Sequence, residues 1–333
     1  MSLGILTEDE YKNGLRQLPV NNAVGFEQAI DTLTQIVSKV QRQKYYQLLG
    51  QSLTDFVPIE MGFGGYSGQI FQFQVANVGD GFEAGVVSPG NGVNKDANVD
   101  IQVDGVTIKN NFWRCKYTVT KEILEMARVN AQNFSYIEEQ ETARLKTYQL
   151  GIQKVAFLGT DDGLNKGLLN QSTVTVDTTL LAKDIKDMNY TELNAFAKSA
   201  IAVYLANNNT TVMPNRWLMP TSDFVALAGQ FNPQYPNFST KTILEDAFKS
   251  IAGADFKIVH ATYCDNAGTA GARHVLYNCD ADSLTMYLPR AYTPHPLYPA
   301  GALDLVSVAE AQFTGVWAKR PKEILYMDVT SST

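Results

Sequence analysis

Residues 117–159 read YTVTKEILEMARVNAQNFSYIEEQETARLKTYQLGIQKVAFLG and contain the start signals of two successive helices. Thr120 is a good N-cap residue, and Glu122 places an acid in the first turn that would follow it. These signals predict a short helix near residues 121–130.

The second helix starts after a break at residues 130–134. Ser135 and Glu138 have the spacing of a capping box, which predicts a long helix over residues 136–158. Its apolar residues spread around the helix more widely than a single surface stripe. We therefore expect neighbours on more than one side of it.

The loop that follows, AFLGTDDGLNKGLLNQ (156–171), raises the question of a metal site. Asp161, Asp162 and Asn165 could supply oxygen ligands to a calcium ion. The loop lacks the D-x-D-x-D-G order and the closing Glu of a calcium loop. We therefore favour a helix end followed by turns over a metal site.

Three glycines support that interpretation of the loop. Gly159 can adopt the left-handed conformation that closes a helix, and Gly163 and Gly167 can form the turns beyond it. The glycines, rather than the acids, are then the important residues of this loop.

A long two-stranded hairpin is predicted within residues 62–117. Apolar and polar residues alternate on both arms, in FQFQV (71–75) and VDIQVD (99–104). After Gly105 the apolar positions move to Val106 and Ile108, a change of parity that predicts a β-bulge. The tip between the arms is too long for a tight turn, and an isolated hairpin is marginal in water. We expect the ribbon to need a partner surface.

The rest of the chain predicts an amphipathic helix near 26–49, which is either a core helix or an arm that packs on a neighbouring subunit, and, after the loop, an α+β unit. The helices expected in that unit are 190–207, 221–229 and 240–251. The strands expected are RWLMP (216–220), FKIVHATY (256–263), ARHVLYNC (272–279) and SLTMYL (283–288). The four prolines of PRAYTPHPLYPAG (289–301) predict a stiff irregular connection, and alternating strands separated by Lys319-Arg320-Pro321 complete the chain.

Composition excludes several classes of protein. The 34 acidic and 27 basic residues give a formal charge of −7, which disfavours coating or sequence-specific binding of nucleic acid. Three widely spaced cysteines predict reduced thiols made in a cytosol. No signal peptide and no apolar run of about 18 residues is present, so we expect no membrane span.

No catalytic, cofactor-binding or metal-binding set stands out. His260, His274 and His295 have no partner at ligand spacing, so we interpret each as structural. GFGGYSG (62–68) resembles a phosphate loop, but no helix pattern follows it, and a bend at the base of the hairpin is the better interpretation.

The order of the parts resembles the tailed-phage major capsid proteins of the Hong Kong 97 fold, which encapsulin shells share. The features that carry the resemblance are the helical arm, the protruding hairpin, TKEILEMA (120–127), the long helix closing on AFLGTDDGLNKGLLN, the α+β unit and the final AKRPKEILYMD (318–328). The resemblance covers nearly the whole chain. It implies an N-terminal arm (1–57), an extended loop (58–117), a peripheral domain with a spine helix (118–175 and 302–333) and an axial domain (176–301).

The resemblance also implies function and partners. Copies of the chain would form hexamers and pentamers of an icosahedral virion shell, with axial domains meeting at the capsomer centre and extended loops lying over neighbours. The shell would be made in the cytoplasm of a bacterial host and would enclose double-stranded DNA without sequence-specific binding. Its partners would be a separate scaffolding protein, a portal and decoration proteins, with no cofactor and no membrane.

Two other classes of protein and one cross-link remain open on the sequence alone. An encapsulin-type shell would enclose an enzyme cargo instead of a genome. An enzyme with an unrecognised site would be a monomer or small oligomer. Lys95, at the hairpin tip, could form an isopeptide cross-link, but no matching Asn and acid can be identified.

Overall fold

The computed structural model describes residues 51–62, 66–79, 99–129, 136–232, 235–252, 255–269 and 271–330. The predicted helix at 26–49, the break at 130–134, Ser135 and Lys95 lie outside these residues.

Helices and strands alternate along the described chain. The helices are α1 (Lys121–Val129), α2 (Tyr136–Leu158), α3 (Tyr190–Asn207), α4 (Thr221–Gly229) and α5 (Thr240–Ala252). The strands are β1 (Ile59–Met61), β2 (Gln69–Gly79), β3 (Val99–Lys109), β4 (Asn111–Thr120), β5 (Thr175–Asp177), β6 (Arg216–Met219), β7 (Phe231–Asn232), β8 (Tyr235–Ser239), β9 (Lys257–His260), β10 (Arg273–Tyr277), β11 (Leu284–Leu288), β12 (Arg290–Pro294), β13 (Tyr298–Pro299), β14 (Asp304–Phe313), β15 (Val316–Ala318) and β16 (Ile324–Asp328). The predicted α+β class is confirmed.

A five-stranded mixed sheet, in the order β5-β16-β10-β6-β9, separates two apolar cores. Alternate side chains of one strand enter opposite cores, as Tyr326 and Leu325 of β16 do. The core that contains Tyr326 also contains α2, and the core that contains Leu325 also contains α3 and α5. Because both faces are covered, the central strands β10 and β16 are buried along their whole length.

A second sheet carries α2 on one face. Its central strand, β14, pairs with β4 over ten residues on one edge and with β12 and β13 on the other. Residues 290–294 and 298–299 are therefore strands, and the prediction of an irregular connection over 289–301 was wrong there. Prolines are tolerated because β12 and β13 lie at the edge of this sheet, where a strand can lack a donor.

Strands β2 and β3 form the predicted ribbon. Their antiparallel register is continuous from Gln69 opposite Lys109 to Gly79 opposite Val99, so the bulge predicted after Gly105 is wrong. The apolar residues near the base lie on the opposite face from Phe73: Ile108 is buried, whereas Phe73 is exposed.

The helices begin and end close to the predicted residues. Ile123 N–H donates to Thr120 Oγ1 at 3.4 Å, as expected of the N-cap of α1. Within the subunit the buried residues of α2 include a stripe at four-residue spacing: Arg144, Tyr148, Ile152 and Ala156. Phe157 is also buried, next to this stripe, and its ring stacks on Tyr263.

Candidate assembly surfaces

The ribbon presents an aromatic face to solvent. Phe71 is 56% exposed, Phe73 is 69% exposed and Val103 is 59% exposed. The two phenyl rings meet edge to face with their centroids 4.9 Å apart. Large apolar side chains grouped on a protruding element are typical of a surface that another protein covers.

The base of the ribbon is attached to the body by hydrogen bonds. Tyr287 Oη donates to Gln72 Oε1 at 2.5 Å, which joins the inner face of the ribbon to β11. Across the base, Asn110 Nδ2 donates to the carbonyl oxygen of Ser67 at 2.8 Å. The described part of GFGGYSG includes Gly62 with φ of +98°, which fits the predicted bend.

A carboxylate cluster lies beside this base, and we call it the Glu310 cluster: Glu310, Tyr66, Arg114, Arg290 and His295. Tyr66 Oη donates to Glu310 Oε1 at 2.6 Å, Arg290 Nη2 lies 2.8 Å from the same oxygen, and His295 Nε2 lies 3.1 Å from it. Arg114 Nε is 3.8 Å from Oε2. The hydrogen bond from Tyr66 lowers the pKa of Glu310 against the opposing effect of burial, and the same bond raises the pKa of Tyr66.

A buried arginine joins α2 to the second sheet. Arg144 Nε donates to Tyr292 Oη and Nη1 donates to Ser307 Oγ, both at 3.1 Å, while Nη2 pairs with Glu141. Its guanidinium lies over the Tyr117 ring, 4.7 Å from the centroid. Sequence reasoning missed Arg144, although its position four residues before Tyr148, on the apolar stripe, was an available signal.

A groove opens between the second half of α2 and the adjacent ends of β4 and β14. We call it the Gly151 groove; its volume is about 350 Å³ and its walls include Trp113, Tyr148, Ile152 and Phe313. A Cβ built on Gly151 meets no atom within 4 Å, so the glycine leaves open space in the groove.

The acids of the loop at 156–171 are engaged in local contacts. Asp161 pairs with Lys154 at 2.8 Å, and its side chain is 87% exposed. Asp162 accepts hydrogen bonds from the Thr160 hydroxyl and from the Leu164 N–H, which lower its pKa. No group of three or more His, Cys, Asp or Glu in the described chain could hold a metal ion. These acids stabilise the turn.

Two of the three glycines of this loop have positive φ. Gly159 and Gly163 have φ of +78° and +70°, as a helix cap and a turn require. Gly167 stands immediately before the turn at Leu168 and Leu169, and a Cβ there would lie 2.3 Å from the carbonyl carbon of Phe157. The chain returns so closely along the end of α2 that the N–H of Leu169 donates to the oxygen of Phe157.

The histidines occupy three different environments. His274 is fully buried, with Nε2 3.0 Å from Asp223 Oδ2, although the geometry does not make a hydrogen bond. The His260 ring packs on Phe224 with centroids 4.1 Å apart, and burial lowers the pKa of His260. His295 belongs to the Glu310 cluster.

The three cysteines are free thiols. Cys264 is buried, and Cys115 and Cys279 are partly buried. Burial raises the pKa of Cys279 to about 11 and raises the pKa of Cys264. Because the thiolate is the reactive form, these two thiols are poor nucleophiles at neutral pH.

Further exposed apolar side chains belong to the elements around the core of α3 and α5. Val225 is 63% exposed, Phe231 is 56% exposed and Ile251 is 52% exposed. Separately, no helix among the described residues combines the length and apolarity needed to cross a bilayer.

Solved structures with a similar fold include chains from phages and from a GTA particle. The capsid protein of Myoviridae phage XM1 matches with a TM-score of 0.73 at 15% identity, covering 90% of this chain and 97% of the phage chain. A capsid chain of the native GTA particle matches with a TM-score of 0.58 at 12% identity, covering 94% and 100% of the two chains. A chain of Mycobacterium phage Bobi matches with a TM-score of 0.55 at 13% identity, covering 88% and 96%. The fold class is thus that of phage capsid proteins, as the Hong Kong 97 resemblance predicted.

The family model described as major capsid protein matches residues 86–329, well over half of the 333 residues. The chain belongs to the major capsid protein family. It is a structural protein of a capsid, and the prediction that it is not an enzyme is confirmed by the family. No curated protein matches the chain.

Proposed function

We propose that copies of this chain assemble as hexamers and pentamers into an icosahedral shell that encloses viral double-stranded DNA. The observation that carries the proposal is the protruding ribbon, on which Phe71 and Phe73 are more than half exposed. Burial of these rings against a neighbouring copy would stabilise the assembled state. The formal charge of −7 also suits a shell that does not grip the phosphates of packed DNA.

The proposed division of labour follows the four predicted parts. Residues 1–57 are the arm, 58–117 the extended loop, 118–175 with 302–333 the peripheral domain, and 176–301 the axial domain. α2 is then the spine helix, and Val225 and Ile251 are exposed side chains that axial contacts can cover. Assembly takes place in the bacterial cytoplasm with a scaffolding protein, a portal and decoration proteins.

Electron microscopy of the purified chain tests the shell. We expect closed particles of many copies, whereas a monomer or small oligomer under all assembly conditions would contradict the proposal. Particles from producing cells should retain double-stranded DNA after nuclease treatment. A protein cargo in place of DNA would instead indicate an encapsulin-type compartment.

A ribbon variant tests the role of the extended loop. Residues 80–98 are replaced by Asn-Gly, which can connect the opposed residues Gly79 and Val99 by a two-residue turn. We expect a folded subunit whose assembly is impaired. Loss of cooperative unfolding in the isolated subunit would show instead that the segment belongs to the subunit's own fold.

A further inference from the structure

We propose that Glu310 is a positioning residue that fixes the direction of the ribbon relative to the body of the subunit. The consequence for assembly rests on the proposed function, because the direction of the ribbon matters most if the ribbon meets a neighbouring copy. The positioning itself is a property of the single subunit.

The ribbon has a narrow attachment to the body. On one side Asn110 alone separates β3 from β4, and its N–H donates to the oxygen of Gly68 at 3.0 Å. On the other side Tyr66 lies three residues before β2. The bond from Tyr287 to Gln72 adds a third contact near the base. These contacts together set the angle at which the ribbon leaves the body.

Glu310 connects this base to several separate segments. Glu310 is 7% exposed. It accepts a hydrogen bond from Tyr66, which precedes β2, and it pairs with Arg290 of β12 and with His295 of the loop after β12. Arg114 of β4 approaches from the strand paired with β14. The Arg290 guanidinium also lies over the Tyr66 ring, 4.7 Å from its centroid. Tyr66 is therefore held both by its hydroxyl, through Glu310, and by its ring, through Arg290.

A carboxylate is needed at this position. Two guanidinium groups and an imidazole surround Glu310, and hydrogen bonds to a charged partner are about twice as strong as neutral ones. An uncharged amide of the same shape would weaken the contacts with Arg290 and Arg114. The Tyr66 hydroxyl would then face a neutral amide instead of a carboxylate. The contact between the base of the ribbon and β14 would then be weaker and less fixed.

The length of the ribbon amplifies any change at its base. Eleven residues per strand correspond to roughly 37 Å at about 3.4 Å per residue. A rotation of about 10° at the base then moves the far end by roughly 6 Å, which exceeds the spacing of about 4.8 Å between paired strands. Such a displacement is enough to misplace the ribbon on a neighbour.

The experiment measures the direction of the ribbon in the full-length subunit. Spin labels are attached to cysteines at Val103 and Leu164, which are 59% and 60% exposed, in a Cys115→Ser background. Distance distributions are compared by electron spin resonance for the parent, Glu310→Gln and Tyr66→Phe. Tyr298→Phe is the matched control, because Tyr298 is a half-exposed tyrosine on β13, which also pairs with β14.

We expect Glu310→Gln to shift or broaden the distance by several ångströms and Tyr66→Phe to do so less, with the control unchanged. An unchanged distance in both variants would overturn the proposal, even if their melting temperatures fall, because only a general structural role would remain. If Glu310→Gln does not fold, Tyr66→Phe decides alone. Particles of normal diameter and yield from a variant with a shifted ribbon would overturn the consequence for assembly.

Discussion

The Phe71 ring lies directly over Gly105 of the neighbouring strand, so that a Cβ on Gly105 would be 2.1 Å from Phe71 Cζ. The two residues are diagonal neighbours, because Thr107 is the direct partner of Phe71. The glycine provides the space in which Phe71 can pack on Phe73. It shapes the exposed aromatic face of the ribbon rather than forming a bulge.

Replacing Gly105 with Ala should therefore disturb assembly more than folding. The Phe71 ring must rotate away, and because it is half exposed we expect the free energy of unfolding to change by less than about 1 kcal/mol. The yield of particles, measured by sedimentation, should fall. Gly68→Ala is the matched control, since its Cβ meets nothing within 4 Å. Equal particle yields from both variants would refute this role for Gly105.

Replacing Gly151 with Ala should stabilise the subunit. The residue lies inside α2, its Cβ would meet open space, and Ala is preferred over Gly in a helix by about 0.5–1 kcal/mol. Gly159→Ala should destabilise instead, because φ is +78° and its Cβ would be 2.2 Å from the Asn165 carbonyl oxygen. Urea unfolding measures the change in the free energy of unfolding for both variants. Changes of the same sign would contradict the roles given to Gly151 as a helix residue and to Gly159 as a helix cap.

Replacing Arg144 with Met should weaken the attachment of α2 to the second sheet. Met keeps much of the aliphatic volume but loses the hydrogen bonds to Tyr292, Ser307 and Glu141, and we expect a loss of about 2–3 kcal/mol in the free energy of unfolding. Lys154→Met, which removes an exposed ion pair, should cost less than about 1 kcal/mol. Similar losses for the two variants in urea unfolding would argue against a special role for Arg144.

Asp328 makes part of the stability depend on pH. Burial alone would raise its pKa, but hydrogen bonds from Arg273 and Thr269 outweigh burial and hold the pKa below the ordinary 3.8. The folded state therefore gains stability from Asp328 fully above the ordinary pKa and loses it as the pH falls through the lowered value. Asp328→Asn should lose about 3 kcal/mol at neutral pH and should unfold with a weaker acid dependence.

The measurement is urea unfolding of the parent and of Asp328→Asn from neutral pH to about pH 2.5. Asp161→Asn is the control, because its side chain is 87% exposed. An acid dependence of Asp328→Asn that equals that of the parent would show that other carboxylates dominate.

Local signals were sufficient for the helices. Thr120 as the N-cap of α1 and Gly159 at the end of α2 are each recognised within a few residues of chain, and both are observed. The cap of α3 was not predicted from the sequence, although it is local too: Asn189 accepts from the N–H of Glu192 at 3.0 Å. The order of these elements was enough to predict the capsid fold.

Edge strands and close backbone contacts were not predictable in the same way. Four prolines suggested an irregular connection at 289–301, yet β12 and β13 pair with β14, because a sheet edge accepts residues that lack a donor. Gly167 was expected only for its turn, and its close contact with the backbone of Phe157 was not foreseen. Both features depend on segments that are distant in sequence.

The sequence by itself determined the helices, the ribbon and the class of structural protein, because capping, periodicity and element order are written in neighbouring residues. Only the tertiary structure decided that Arg144, Glu310 and Asp328 are buried charges with specific partners. Each of these side chains is stabilised by residues far away in the chain. The local sequence around a charged residue does not show whether that residue will be exposed to water or paired with a distant partner.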